Sequence, residues 1–299
     1  MPLEDFIIKT YILVDDFLKA YPALRKRGSS PLLTDAEVIT MEIIGEFSGR
    51  GSDKGIYDYF RIHWLPWFPT MGCRTAFARQ SANLWNVKMQ FQREMVQRIS
   101  PDNDLFLFDG LPIPTCNPKR VNRRNPFYGT GGFGYCAAKD KKYFGFKGHS
   151  IVNQHGLILN LTFSPANIDE RDVLPELVAK YKGMLIADKG LIRPELTELL
   201  ASQELDLQTP LRKNMNDPRP KSVVYKMMNI RRIIETTFSQ LTDRFNIQSI
   251  RAKDLWHFTT KVSRKILAHT VAFFFAGSLK FDQLLPSKAG SMVYACKAD

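Results

Sequence analysis

Two short apolar runs, each closed by an aspartate, restrict what this chain can fold into more than any other feature. Leu105-Phe106-Leu107-Phe108 ends on Asp109, and Met184-Leu185-Ile186-Ala187 ends on Asp188. Apolar runs this short, bounded by turn signals, read as strands buried on both faces inside a helix-covered sheet. Strands ending at one edge of a sheet gather residues distant in sequence, so both aspartates are expected on a common rim. Glu235 lies in a later helix-like stretch, residues 229–244, and a helix packed across that rim adds a third carboxylate. Carboxylate oxygens are preferred ligands of hard cations such as Mg²⁺ and Mn²⁺. Three of them crowded together without a cation would repel one another. Alone, each residue has a plainer explanation, since Asp-Gly is a common turn and helical glutamates are commonly solvated. Together they point to a metal site.

The remaining pattern predicts an α/β protein preceded by an all-helical region. Over residues 1–100, Ile7, Ile8, Tyr11 and Ile12 recur at helical spacing. Arg25-Lys26-Arg27-Gly28-Ser29-Ser30-Pro31 breaks that pattern, and Thr34-Asp35-Ala36-Glu37 has the form of a capping box. Residues 74–99 carry a long polar-apolar helical pattern. From residue 104 the pattern changes to a strand at 105–109 and a hairpin of 143–153 with 157–164, turned at Gln154-His155-Gly156. A helix at 169–181, a strand at 184–188, a helix at 194–203 and a short strand at 205–209 follow. The helix at 229–244 and an apolar helix from about Trp256 complete the order. That succession is the order of a ribonuclease-H-like fold with a mixed five-stranded sheet and flanking helices. The expected division is a helical region over 1–100, a catalytic domain over 101–280 and an irregular tail over 281–299.

Charge narrows the partners. The 42 Lys and Arg exceed the 30 Asp and Glu, for a net charge of +12, and such an excess favours a polyanion, most simply nucleic acid. Composition is 44% hydrophobic and 24% charged, that of a soluble globular protein. Cys73, Cys116, Cys136 and Cys296 form no CxxC pair, which argues against a structural zinc or a disulfide framework and for a reducing, cytoplasmic setting. The start of the chain lacks the basic residues of a signal peptide. The apolar stretch 266–279 is shorter than a membrane span and reads as a buried helix. His63 and His269 sit among apolar residues and read as core histidines. HExxH and Walker patterns are absent.

Several basic residues are candidates for DNA contact. Arg231 lies four residues before Glu235, on the same helix face; it suits either a phosphate clamp or an intrahelical ion pair. Between 117 and 147 the chain is basic and glycine-rich, with Lys119, Arg120, Arg123, Arg124, Lys139, Lys141, Lys142 and Lys147 against the single acid Asp140. Phe127, Tyr128, Phe133 and Tyr135 are interleaved there, so a loop tracking a phosphate backbone and stacking on exposed bases is expected. Lys147 and His149 alternate on a strand and share one face.

Six ordered blocks carry a family resemblance. Phe108-Asp109-Gly110-Leu111-Pro112-Ile113-Pro114, Phe146-Lys147-Gly148-His149, Pro165-Ala166-Asn167, Ala187-Asp188-Lys189-Gly190, Pro210-Leu211-Arg212-Lys213-Asn214 and Arg231-Arg232-Ile233-Ile234-Glu235 resemble successive blocks of bacterial insertion-sequence DDE transposases. The resemblance implies Asp109, Asp188 and Glu235 as the DDE triad, holding Mg²⁺ or Mn²⁺ as two ions. It implies double-stranded DNA as partner, with cleavage at terminal inverted repeats and joining of the 3′ ends to target DNA. A homodimer or larger assembly on DNA, and nucleoid association, go with that chemistry. Lys189, Arg212 and Lys213 join the expected DNA-binding set. Related families carry Tyr-x2-Arg-x3-Glu-x6-Lys around the glutamate. Here the tyrosine position is Met228 and the lysine position Thr242, with Arg244 the candidate replacement. A nuclease that cuts without joining, and a DNA-binding protein without activity, are the alternatives.

Overall fold

The computed structural model describes residues 1–21, 30–136, 139–212 and 214–277. The basic break at 25–29, Lys213 and the tail 281–299 lie outside the described residues. Five helices come first: α1 (Leu3–Ala20), α2 (Asp35–Phe47), α3 (Asp53–His63), α4 (Arg74–Asn83) and α5 (Trp85–Ile99). The capping box forms as its sequence requires. Thr34 Oγ1 accepts from the Glu37 amide at 3.1 Å, and the Thr34 amide donates to Glu37 Oε2 at 2.7 Å. The helical pattern over 74–99 forms two helices divided at Leu84, which leaves helical geometry (ψ 10°) and turns its side chain into the core.

The last helix, α9 (Leu255–Ala276), packs on α2 and α5. Its cations are buried within the helix. Arg264 donates to Glu46 Oε1 and Asp53 Oδ1, both at 2.5 Å, and Lys265 donates to Glu46 Oε2 at 2.6 Å. Lys88 closes the cluster on Glu42 at 2.8 Å. A buried charge survives only when paired and hydrogen-bonded, and this network locks the first helices to the last. His269 is buried as expected, but His63 is exposed on the last turn of α3. Its ring lies tilted against Tyr59, with centroids 5.1 Å apart, instead of entering the core. Among the described residues, no helix is long and apolar enough to cross a membrane.

Among the described residues six strands form one sheet: β1 (Leu105–Cys116), β2 (Gly132–Cys136), β3 (Lys141–Asn153), β4 (Ile158–Pro165), β5 (Gly183–Ile186) and β6 (Leu205–Gln208). Strands β4, β3 and β1 run antiparallel in that order, and β5 and β6 continue from β1 in parallel. This mixed order is the ribonuclease-H-like arrangement expected from the succession of elements. The sheet has six strands where five were expected. Strand β2 lies in line with β4 on the same edge of β3, with Gly132 opposite Gly145 and Pro165 opposite Phe146. Every second residue of its Gly-Phe-Gly-Tyr sequence is a glycine, which strands disfavour, and that is why it reads as loop. Helices α6 (Glu170–Val178), α7 (Pro194–Ser202) and α8 (Lys221–Asp243) complete the fold. Helix α8 begins eight residues before the predicted 229.

Candidate active site

The parallel pairing of β1 with β5 sets the site. Leu107 lies opposite Ile186, and each strand reaches its aspartate two residues later, at Asp109 and Asp188. Equal offsets on adjacent strands, spaced about 4.8 Å, bring the two aspartates level at one edge of the sheet. The preceding Phe106, Leu107 and Phe108 are buried, as are Leu185, Ile186 and Ala187. The apolar runs thus anchor both strands up to the residue where the chain emerges.

The third carboxylate comes from α8. Met227, Ile234 and Leu241 repeat every seven residues and are buried, with Thr237 bonded through Oγ1 to the Gly156 carbonyl at 3.2 Å. Arg231 stands four residues after Met227 and three before Ile234, at the margin of that stripe, and its side chain is 17% exposed. Glu235, one turn further, is exposed. The connection into α8 is pinned by Arg219, which pairs with Asp217 at 2.7 Å and donates to the Thr209 carbonyl at 2.9 Å.

One guanidinium gathers the three acids. Arg231 Nη2 is 3.6 Å from Asp109 Oδ2 and 3.4 Å from Asp188 Oδ1, and Nη1 is 3.5 Å from Glu235 Oε1. The two aspartate oxygens are therefore no more than 7.0 Å apart, the sum of 3.6 and 3.4 Å. Arg231 makes more than an intrahelical pair; it bridges Asp109 of β1, Asp188 just beyond β5, and Glu235 of its own helix. Its Nε is buried without a partner. Burial raises the Asp109 pKa to about 6, further supported by the negative charges of Glu170 and Asp188. The Gly110 amide, which donates to Asp109 Oδ1 at 2.7 Å, and Arg231 act against that rise.

Sequence reasoning missed a fourth carboxylate. Glu170, at the start of α6, pairs with Lys147 at 3.3 Å, and a Cβ at Gly110 would lie 2.2 Å from its Oε1. Asp-Gly here is a close approach between β1 and α6, not a turn. The acids of Asp169-Glu170 are visible in the sequence, but nothing in their spacing says that α6 starts beside Asp109.

The basic candidates divide. Lys189 and Arg212 line a cleft of about 340 Å³ together with Asp188, Gly190 and Leu211. Lys147 stays near the acids through Glu170. His149 is fully buried, stacked on Phe108, with Nε2 bonded to Ser164 Oγ at 2.8 Å. Burial and Lys147 lower its pKa to about 4; Lys147 and His149 share one face of β3 as expected, but His149 is covered there and offers no surface to DNA. Lys119, Arg120, Arg123 and Arg124 are exposed between β1 and β2. Phe127 in the same stretch is a core residue packed on Phe146 and Phe258, whereas Tyr128, Phe133 and Tyr135 are exposed. Arg244, the candidate replacement for the absent lysine, lies over the Phe47 ring at 4.0 Å.

With this geometry in view, the chain compares as follows. The family described as Transposase DDE domain matches residues 100–255, which is 156 of 299 positions. The chain belongs to the transposase DDE domain family. Comparison with curated proteins returns no match. Among solved structures, a chain of the pre-cleavage Mos1 transpososome is similar over 74% of this chain and 80% of its own, at 12% identity and a TM-score of 0.24. So loose a likeness says nothing about the site. The matched span of the DDE family contains all three carboxylates, Arg231, Glu170 and the basic stretch.

Whether Asp109, Asp188 and Glu235 fit a divalent ion is decided by the donor set. All three are carboxylates, the chemistry that hard cations take, and all three already face one cation. Among the described residues no three His, Cys, Asp or Glu side chains stand close enough together to hold an ion as placed. Arg231 sets their present spacing. A guanidinium meets carboxylates at about 3.5 Å here, whereas Mg²⁺ draws oxygens to about 2.1 Å, so the acids must close in around an ion.

Proposed function

We propose that this protein is a DNA transposase whose Asp109, Asp188 and Glu235 hold Mg²⁺ or Mn²⁺ for cleavage at terminal inverted repeats and joining of the 3′ ends to target DNA. The observation that carries the reading is the convergence of three carboxylates, from two parallel strands and a helix, on the single guanidinium of Arg231. When bound, such ions supply Lewis-acid activation of the attacking and leaving oxygens of an in-line phosphoryl displacement.

The chain's own residues do the rest. Asp109 titrates at about 6, so it is mostly ionised at neutral pH and available as a ligand. Arg231 has the planar fork that matches phosphate, and its position among the acids supports a role for that fork as a clamp on the scissile phosphate. Lys189 and Arg212 line the cleft beside Asp188 and neutralise phosphates on either side. Lys147 approaches from β3 and is steered by Glu170. Lys119, Arg120, Arg123 and Arg124 extend the basic surface, and helices α1 to α5 contribute to binding the element's ends. Two DNA ends require at least a dimer.

The test is incubation of the protein with labelled terminal-repeat DNA, a target plasmid and Mg²⁺. Joined products that vanish in Asp109→Asn and Glu235→Gln, with DNA binding retained, are the expected result. Cuts without joining would replace transposase by nuclease. Shifted but intact DNA would reduce the protein to a binder.

A further inference from the structure

Strand β2 is amphipathic in the unusual sense: its aromatic residues face solvent. A Cβ at Gly132 would lie 1.9 Å from Asn167 Oδ1 and 2.9 Å from the Ala166 amide; one at Gly134 would lie 2.7 Å from the Tyr143 ring and 2.9 Å from the Ala166 Cβ. Only glycine fits on that inner face. Phe133 and Tyr135 alternate onto the other face and are 59% and 58% exposed. Both rings are braced. Phe133 sits edge-on against Phe144, with centroids 5.1 Å apart, and the Tyr135 hydroxyl donates to Asp140 Oδ1 at 2.6 Å. That bond also engages the one acid of the stretch. Lys142 is the cross-strand partner of Tyr135 and shares its face, and Lys139 and Lys141 are exposed beside it.

We propose that the Phe133–Tyr135 face of β2 is a stacking platform for unpaired bases of the DNA strand that passes the carboxylates. Aromatic faces alternating with cations are what single-stranded nucleic acid recognises. Residues two apart on a strand are separated by about 6.7 Å, twice the 3.4 Å rise of stacked bases, so two bases meet both rings only once unstacked. The platform also lies in the right direction. Strand β1 continues from Asp109 to Cys116, and Pro114 pairs with Gly145, which pairs with Gly132. Five residues along β1 and two strands across give about 20 Å from the acids, roughly six nucleotides of a strand leaving the site. The inference rests on the DNA-processing reading above.

The experiment uses the full chain and two oligonucleotide probes of one sequence: a blunt duplex, and a duplex with a six-nucleotide single-stranded tail carrying 2-aminopurine. Wild type is expected to bind the tailed probe more tightly and to quench the 2-aminopurine. Phe133→Ala and Tyr135→Ala each weaken tailed binding about ten-fold and leave blunt binding and the melting temperature unchanged; Tyr135→Trp restores the quench. Alanine variants that bind the tailed probe like wild type, or that lose both probes equally, overturn the platform alone. Variants that change the sedimentation of the protein but not its DNA binding would make the face a contact between copies, and overturn it too. A wild type that binds neither probe overturns the DNA reading itself.

Discussion

Asp109→Asn is expected to stabilise the metal-free protein at neutral pH. The folded pKa of Asp109 is about 6 against an ordinary 3.8, so the native state holds the ionised form less readily than the unfolded chain does. That difference of roughly two units costs at most about 3 kcal/mol once the group is ionised. The sign is that of a raised carboxylate: the cost is present in full above pH 6, shrinks as pH falls through 6 and is gone below 3.8. Asparagine mimics the neutral carboxyl and keeps an oxygen for the Gly110 amide, so it escapes the cost. The variant should exceed wild type by about 3 kcal/mol at pH 7 and by only about 1 kcal/mol at pH 4.5. For a chain of this size 1 kcal/mol corresponds to roughly 2 °C in melting temperature. Urea and thermal unfolding of both proteins with chelator present, at the two pH values, measure it. A variant equal to or less stable than wild type at pH 7, or a gain independent of pH, would refute the claim that burial of Asp109 is costly.

Three further outcomes follow from the same geometry. Arg231→Ala removes the cation that holds Asp109 down, so the Asp109 pKa should rise above about 6, as read from carboxyl carbon chemical shifts; a fall would contradict the bridge. Neutralising Lys119, Arg120, Arg123 and Arg124 together should flatten the slope of log affinity against log salt by up to about 3.6, and an unchanged slope would remove that stretch from the DNA surface. Glu46→Ala leaves Lys265 buried without its carboxylate and Arg264 with Asp53 in place of two close acids, and should destabilise by about 3–5 kcal/mol, whereas a loss under 1 kcal/mol would mean that water reaches the pair.

What was legible in the sequence was what local pattern dictates. The two aspartates were found because apolar runs must be buried up to the sheet edge, and the capping box at Thr34 because its four residues satisfy their own amides. Glu235 and Arg231 were found because spacing along a helix fixes a common face. Contacts between distant segments were not legible. Glu170 reaches Asp109 only through the placement of α6. Arg264 and Lys265 look like flanking charges, yet they pair with Glu46 and Asp53 more than two hundred residues away. Strand β2 was hidden because its inward positions are glycines, chosen for a close approach that no single-segment pattern reveals. His149 was given to the surface because alternation along a strand says which side chains share a face, not which face is covered.

The central claim is that Asp109, Asp188 and Glu235 form one divalent-cation site. Crystals soaked in Mn²⁺ and measured at the manganese absorption edge test it most directly. Anomalous density between those three carboxylates, with Arg231 moved aside and the peak lost in Asp109→Asn, is the predicted result. Manganese bound only elsewhere, or three carboxylates still closed on Arg231 at saturating Mn²⁺, would contradict it.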